Sequence, residues 1–289
     1  MAPKTQGGAR GQDLSTGMAG SYPEHLRASL PGLPAAPGVY TFHAPDGLLP
    51  LYIGKSINLR ARILSHLRNA NEARMLQQAS HITFIRTAGD LGAQLLEAQM
   101  IKQQQPLFNK KLRRNKQLCS LQLKQGIPEV VFSRDMDFAR AEGLFGLFAS
   151  RQAALEAVRT LADQFQLCSG RLGLERIAPR RPCFRHMVKR CAGACCGKES
   201  EQLHDERLRS ALEQLRVAVW PHAGAVALEE RCSDLRQLHV VRNWCYLGSA
   251  PDLRAARKLA TVAAGFDADG YRILCGPILS GQYPLTALA

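Results

Sequence analysis

No apolar run in this chain approaches the roughly 20 residues that a bilayer span requires, and the N-terminus lacks the apolar core of a signal peptide. A cytosolic protein is therefore expected. Acidic residues are scarce: 24 Asp and Glu stand against 38 Lys and Arg, a formal net charge of +14. That balance points to a polyanionic partner without choosing between DNA and RNA. Large rings are also few, with 6% aromatic residues and two tryptophans, which describes an ordinary globular chain with room for more than one core. None of the nine cysteines forms a Cys-x-x-Cys pair, and no internal repeat is visible. Gly54-Lys55-Ser56 has the ending of a phosphate-binding P-loop, but position 49 is Leu where that motif needs Gly, so an NTPase is excluded. The stretch after residue 220 holds no acidic cluster of the kind a two-metal nuclease centre uses.

Against these absences stand two short tyrosine-bearing segments, Gly38-Val39-Tyr40 and Leu51-Tyr52-Ile53-Gly54-Lys55. Their apolar/polar alternation predicts two strands joined by a turn at Ala44-Pro45-Asp46-Gly47, with Tyr40 and Tyr52 on one face. Leu59, Ile63, Leu64 and Leu67 then mark the buried stripe of a helix capped by Asn58, on which Arg62 and His66 lie one turn apart. A strand is expected over 81–87, and a second helix opens at Asp90 and closes at Pro106. Glu97 sits in that helix among Leu91, Leu95, Leu96, Ala98, Met100 and Ile101. A carboxylate in such company costs free energy unless a cation or donor compensates it, which makes Glu97 a metal-ligand candidate; a solvated glutamate is the bland alternative.

Taken in order, Gly38-Val39-Tyr40, Tyr52-Ile53-Gly54-Lys55, Arg62, Glu97 in Leu-Leu-Glu-Ala and Asn109 in Pro-Leu-Phe-Asn resemble the full motif of the GIY-YIG nucleases, in the version of the UvrC and Cho excinucleases. The likeness is nearer to the Cho branch, the shorter, SOS-associated homologues of UvrC, because it runs from about Tyr22 to the C-terminus. It implies an α/β (α+β) fold, with a small mixed sheet flanked by helices, a Cys-rich helical module and a small C-terminal α/β domain. It also implies a site of Tyr40, Tyr52, Lys55, Arg62, Glu97 and Asn109; where many relatives hold a Tyr, this chain has His66. In that site Glu97 would hold one Mg²⁺ or Mn²⁺, and Tyr52 would be the general base, with Lys55 as the cation favouring its phenolate. Arg62 would bind phosphoryl oxygens as a planar fork, and His66 would position the water or pass on its proton. The basic cluster Lys110, Lys111, Arg113, Arg114 and Lys116 would hold flanking phosphates.

Five cysteines fall between Cys168 and Cys196, and in a reducing compartment such crowding argues for metal over disulfides. Four thiolates can ligate either zinc or a 4Fe-4S cube, and spacing alone does not choose. The resemblance implies Cys168, Cys183, Cys191 and Cys195 as ligands of a 4Fe-4S cluster, with Cys196 spare. Arg180, Arg181, Arg185, Lys189 and Arg190 thread the same stretch and suit a nucleic-acid backbone.

The expected organisation is a flexible tail over 1–21, the nuclease domain over 22–118, a connecting α/β segment over 119–166, the Cys-rich and helical module over 167–220, and a C-terminal α/β domain over 221–289. Strands are expected at 121–123 and 130–132, an amphipathic helix from Arg151 to Gln166, and a long polar helix from Ser200 to Val219. After it come strands near Val226, Val240-Val241 and Ile273-Leu274, with a helix near Asp252 to Leu259. Asp267-Ala268-Asp269-Gly270 lacks the closing acidic ligand of a calcium loop, since position 278 is Ile, and is expected to be a turn before a strand at Tyr271.

Activity follows from the resemblance: a DNA endonuclease of nucleotide excision repair, making one incision on the 3′ side of a lesion in DNA handled by UvrA and UvrB. A homing or restriction-type GIY-YIG nuclease would need a sequence-reading module, and none is legible. A non-catalytic nucleic-acid-binding scaffold is the remaining alternative, against which the intact catalytic set argues.

Overall fold

The computed structural model describes residues 23–45, 47, 49–109 and 118–288. The tail 1–21 and the basic residues Lys110, Lys111, Arg113, Arg114 and Lys116 lie outside them. Among the described residues three antiparallel sheets, each packed on helices, organise the chain.

The first sheet has the order β2-β1-β3, built from β1 (Gly38–His43), β2 (Pro50–Ser56) and β3 (His81–Arg86). Both pairings are antiparallel, so the sheet expected to be mixed is not. Between β2 and β3 run α1 (Leu59–Arg68) and α2 (Ala73–Gln78), and α3 (Asp90–Gln104) follows β3. Asn58 caps α1 as expected, its Oδ1 accepting the Ala61 N–H at 3.0 Å. The register pairs Tyr40 with Gly54 and Phe42 with Tyr52, which puts both tyrosines on one face. That face buries Tyr40 and Phe42 against Leu59, Ile63 and Leu67 of α1. The opposite face packs Val39 and Ile53 on Ile101, Leu96 and Met100 of α3. Helix α3 ends because Gln105 takes a left-handed conformation (φ 46°) just before Pro106.

The second sheet, order β5-β4-β6, comprises β4 (Cys119–Lys124), β5 (Ile127–Phe132) and β6 (Leu144–Phe148), covered by α4 (Arg151–Gln164) through Ala154, Val158 and Leu161. The short α5 (Phe184–Met187) lies in the Cys-rich segment, and α6 (Glu201–Glu213) starts at the Ser200 cap. Helix α6 stops six residues short of the expected Val219, because Leu215, Val217 and Trp220 turn inward to three different clusters instead of continuing one helical stripe.

The third sheet, order β10-β7-β8-β9, holds β7 (Ala225–Arg231), β8 (Arg236–Arg242), β9 (Cys245–Ala250) and β10 (Leu285–Leu288), with α7 (Leu253–Ala260) and α8 (Ala268–Leu279). The expected strand at Tyr271 and Ile273-Leu274 is instead part of α8. Asp267 acts as its N-cap, accepting the Gly270 N–H at 3.1 Å, and Gly270, Leu274 and Ile278 repeat at four residues on its buried side. Asp267 and Asp269 both pair with Lys102 of α3, the latter at 2.9 Å, so neither carboxylate belongs to a cation loop. No helix among the described residues is long and apolar enough to cross a membrane.

Candidate active site and thiol cluster

Strand β2, at the margin of the first sheet, gathers the chemistry. Gly54 lies directly under the phenols: a Cβ built there would stand 2.4 Å from the Tyr40 oxygen and 2.8 Å from Cε1 of Tyr52. Any side chain at 54 would therefore displace both rings. Tyr40 is almost fully buried, Tyr52 is half-buried, and their ring centroids are 6.2 Å apart.

From the opposite side α1 inserts His66, buried among Tyr40, Tyr52 and Phe42 with centroid distances of 5.3, 5.5 and 5.6 Å. The Tyr40 hydroxyl bonds to His66 Nε2, His66 Nδ1 bonds to Glu72, and the Tyr52 phenol lies close enough to Tyr40 for each to shift the other's titration. Proton positions follow from the partners. Burial is the largest influence on His66 and lowers its pKa below 6.5, so the imidazole is neutral at pH 7. Its Nδ1–H then donates to Glu72, and its Nε2 accepts the Tyr40 O–H. Glu72 is steadied by Asn69 Nδ2, which donates to its other oxygen at 3.0 Å. Glu72 escaped the sequence reading; the available signal was its position one turn past the Asn69 that ends α1.

Burial also raises both phenols, Tyr40 most of all. For Tyr52 the charge of Glu97 adds to the rise and Arg62 opposes it. The Tyr40 phenol, and less strongly Tyr52, raise Arg62, which sets its guanidinium close to both rings. Lys55, expected beside the Tyr52 phenol, turns elsewhere. Its ammonium pairs with Asp90 Oδ1 at 2.7 Å, at the start of α3, because its side chain leaves β2 on the face of Ile53 and not on that of Tyr52.

Glu97 faces the same edge: its Oε1 accepts the Lys55 backbone N–H at 3.1 Å. It is half-buried, burial pushes its carboxyl up, and among the described residues it forms no salt bridge. A single half-desolvated carboxylate without a cationic partner fits a hard divalent ion that keeps most of its own waters. Asn109 clasps the backbone of β2. Its Oδ1 accepts the Ile53 N–H at 2.9 Å and its Nδ2 donates to the Ile53 carbonyl at 2.8 Å, stitching the 107–109 segment to the β2 edge. Leu107 and Phe108 extend this pairing to Pro50 and Leu51.

In the second sheet's neighbourhood, the Sγ atoms of Cys168, Cys183, Cys191 and Cys195 all lie within 4.8 Å of one another. Cys196 is outside the group, its sulfur turned to the Gly193 carbonyl. Backbone N–H groups of His186, Gly193 and Cys183 donate to the sulfurs of Cys183, Cys191 and Cys195 at 3.3–3.4 Å; these bonds favour thiolate, while burial pushes the Cys191 and Cys195 thiols up unless a cation compensates. Buried His204 accepts the Cys168 N–H at 3.1 Å and anchors the loop to α6. The donors suit a thiolate-ligated metal. A lone tetrahedral zinc with Zn–S bonds of ~2.3 Å asks for about 3.8 Å between sulfurs, so the present spacing is nearer to that than to the wider set a cube takes. Of the basic side chains here, Arg185 and Arg190 bond to Asp163, while Arg180, Arg181 and Lys189 are exposed.

Comparison with known proteins accounts for these parts in chain order. A UvrC-like GIY-YIG domain model matches residues 36–110, the UvrC/Cho excinuclease middle domain matches 109–214, and the excinuclease Cho C-terminal domain matches 225–289. The chain is 57% identical over 267 residues to excinuclease Cho of Escherichia coli K12, covering 92% of this chain and 90% of that protein. UvrABC system protein C of Citrifermentans bemidjiense is 30% identical over 220 residues, 74% of this chain and 33% of that protein. A crystal structure of the GIY-YIG N-terminal endonuclease domain of UvrC from Thermotoga maritima, bound to magnesium, is 33% identical, covers 30% of this chain and 97% of that chain, and has a TM-score of 0.28. With a nuclease sheet at one end, a thiol cluster in the middle and identity of this extent along nearly the whole length, the chain belongs to the excinuclease Cho family.

Proposed function

We propose that this endonuclease makes a single incision on the 3′ side of a DNA lesion, on duplex already opened and marked by UvrA and UvrB. The observation that carries the catalytic part is the convergence of Tyr40, Tyr52, Arg62, His66 and Glu97 at one edge of one small sheet. When bound at Glu97, Mg²⁺ or Mn²⁺ supplies positive charge to the phosphoryl and departing 3′ oxygens and offsets the carboxylate that raises Tyr52. Tyr52 takes the proton of the attacking water as its own proton passes through Tyr40 to His66 Nε2. Glu72 stabilises the imidazolium that results, the part a carboxylate plays behind a catalytic histidine. This relay replaces Lys55 as the reason Tyr52 can act as a base. Arg62 binds phosphoryl oxygens, and the exposed Arg180, Arg181 and Lys189 hold the DNA backbone. Asn109 acts as a positioning residue for β2.

We assign Cys168, Cys183, Cys191 and Cys195 to a structural metal centre in a cytoplasmic, reducing compartment. The likeness to UvrC favours a 4Fe-4S cluster and the sulfur spacing favours zinc. Visible absorption and metal content of anaerobically purified protein decide between them, colourless protein with one zinc per chain excluding the cluster.

Nicking of a defined-lesion duplex, with and without UvrA and UvrB, tests the repair reading. The nick is expected on the 3′ side and to depend on both partners; a nick on the 5′ side contradicts it.

The relay also sets a pH dependence. Because the His66 pKa lies below 6.5, the accepting Nε2 is free at neutral pH and becomes protonated only on the acid side. The nicking rate at saturating metal should therefore hold at neutral pH and fall only on the acid side of the ordinary histidine range. Tyr40→Phe, which cuts the relay, should lower the rate and erase that acid limb. A mutant profile with the limb intact would separate His66 from the proton path.

A further inference from the structure

Helix α3, which carries Glu97, has no N-cap of its own. Gly89 precedes it and offers no side chain, yet the helix begins with two amides, those of Leu91 and Gly92, that are buried and fully bonded. Their acceptor comes from 139 residues further on: Glu230 Oε1 accepts from Leu91 at 3.0 Å and Glu230 Oε2 from Gly92 at 2.9 Å. Glu230 belongs to β7 of the third sheet and is itself 6% exposed. A chain of partners fixes it. His239 Nε2 donates to Glu230 Oε2 at 2.8 Å, His239 Nδ1 accepts from Ser249 Oγ at 2.7 Å, and the Tyr246 hydroxyl donates to Ser249 at 2.6 Å. Every polar atom of this buried network has a partner, which rigidifies it.

Two glycines make room for the plug. A Cβ at Gly89 would stand 2.1 Å from Glu230 Oε1, and one at Gly92 would stand 2.6 Å from Cε1 of His239. The same hairpin reaches further back, where Gln237 Oε1 accepts the Ala88 N–H at 2.8 Å and Asp234 forms a two-point pair with Arg86 at 2.9 Å. At the far end of α3, Lys102 is held by Asp267 and Asp269. Thus α3 is shared. Leu96, Met100 and Ile101 face the nuclease sheet, while Leu91 and Leu95 are buried with Trp244 and Tyr246 of the third sheet's cluster.

We propose that the C-terminal sheet positions the metal-binding helix, with Glu230, backed by His239, as the positioning residue for Glu97. The carboxylate stands where the helix dipole and the unpaired amides both favour negative charge, so it fixes the axial setting of α3. That setting places Glu97 against the Lys55 amide seven residues on, and Asp90 against the Lys55 ammonium. The inference rests on the reading of Glu97 as the divalent-ion ligand.

Glu230→Ala in the full chain should speed amide hydrogen exchange through α3 and raise the Mg²⁺ concentration for half-maximal nicking about tenfold, with DNA affinity unaltered. Glu230→Gln, which keeps the shape but can accept from only one of the two amides and carries no charge, should show part of both effects, and it carries the comparison if the alanine variant lowers the folded population. Faster exchange with an unchanged Mg²⁺ requirement reduces Glu230 to a helix cap and overturns the proposal. Unchanged exchange overturns it as well. Failure of the underlying metal reading is seen separately, as Glu97→Gln retaining full nicking while Glu230→Ala still accelerates exchange in α3.

Discussion

Glu97→Gln should lower the nicking rate by about a thousandfold or more, a barrier increase of ~4 kcal/mol, and leave duplex affinity nearly unchanged. Glutamine keeps the shape and retains an oxygen for the Lys55 N–H, so the contact between α3 and β2 survives. What is lost is the charge. A half-buried carboxylate without an ion pair already stands above its usual pKa, and it is ionised at neutral pH most readily when a cation joins it. With an amide there, the ion has no anionic anchor and the phosphoryl charge is opposed by Arg62 alone. Plasmid nicking under saturating Mg²⁺ or Mn²⁺, beside a binding isotherm on the same duplex, measures the two quantities. Unchanged nicking removes Glu97 from the mechanism. Equal losses of binding and rate would instead indicate a damaged fold.

The second large effect lies in the thiol cluster. Cys183→Ser should take the metal content from one centre per chain to nearly none and make residues 168–196 the first site of proteolysis. Structural metal centres contribute on the order of 10 kcal/mol to folding, comparable to the whole stability of a domain. Between Ile177 and Cys196 the segment adds few apolar contacts of its own, its tie to the neighbouring core being made earlier, by Leu172, Leu174 and the Cys168 amide on His204. Cys168, Cys183 and Cys191 form a cluster of their own with only Ile177, Ala194 and Cys195 packed against it, and α5 is a single turn. Phe184, Met187 and Val188, between two of the cysteines, are exposed and add nothing to a core. Cys196→Ser is the control, since its sulfur is outside the cluster, and should retain metal and protease resistance. Full metal content in Cys183→Ser would remove that residue from the ligand set.

Legibility followed the range of the interactions. The β1–β2 hairpin, the Asn58 cap and the stripe of α1 depend on neighbours a few residues apart, and these appear in the structure where alternation and helical spacing put them. Local signals misled at α8. There Tyr271, Ile273 and Leu274 suggest a strand, but the Asp267 cap and the four-residue repeat of Gly270, Leu274 and Ile278 select a helix that packs on Trp244. Helix α6 was overextended for a related reason: apolar residues after Glu213 serve separate clusters, which no single periodicity records.

The order of Tyr40, Tyr52, Arg62, Glu97 and Asn109, and the crowding of cysteines, were written in the chain, because residue type and spacing are one-dimensional properties. Partners were not. That Lys55 turns to Asp90 and away from Tyr52, that Glu72 completes the relay behind His66, that Asn109 clasps the Ile53 backbone, and that Glu230 enters the start of α3 from 139 residues away are all decided in the folded chain. The physical reason is common to all four. Hydrogen bonds and ion pairs act over about 3 Å, and which polar groups come that close depends on how helices seat on sheets, a result of side-chain packing between distant segments that no local pattern carries.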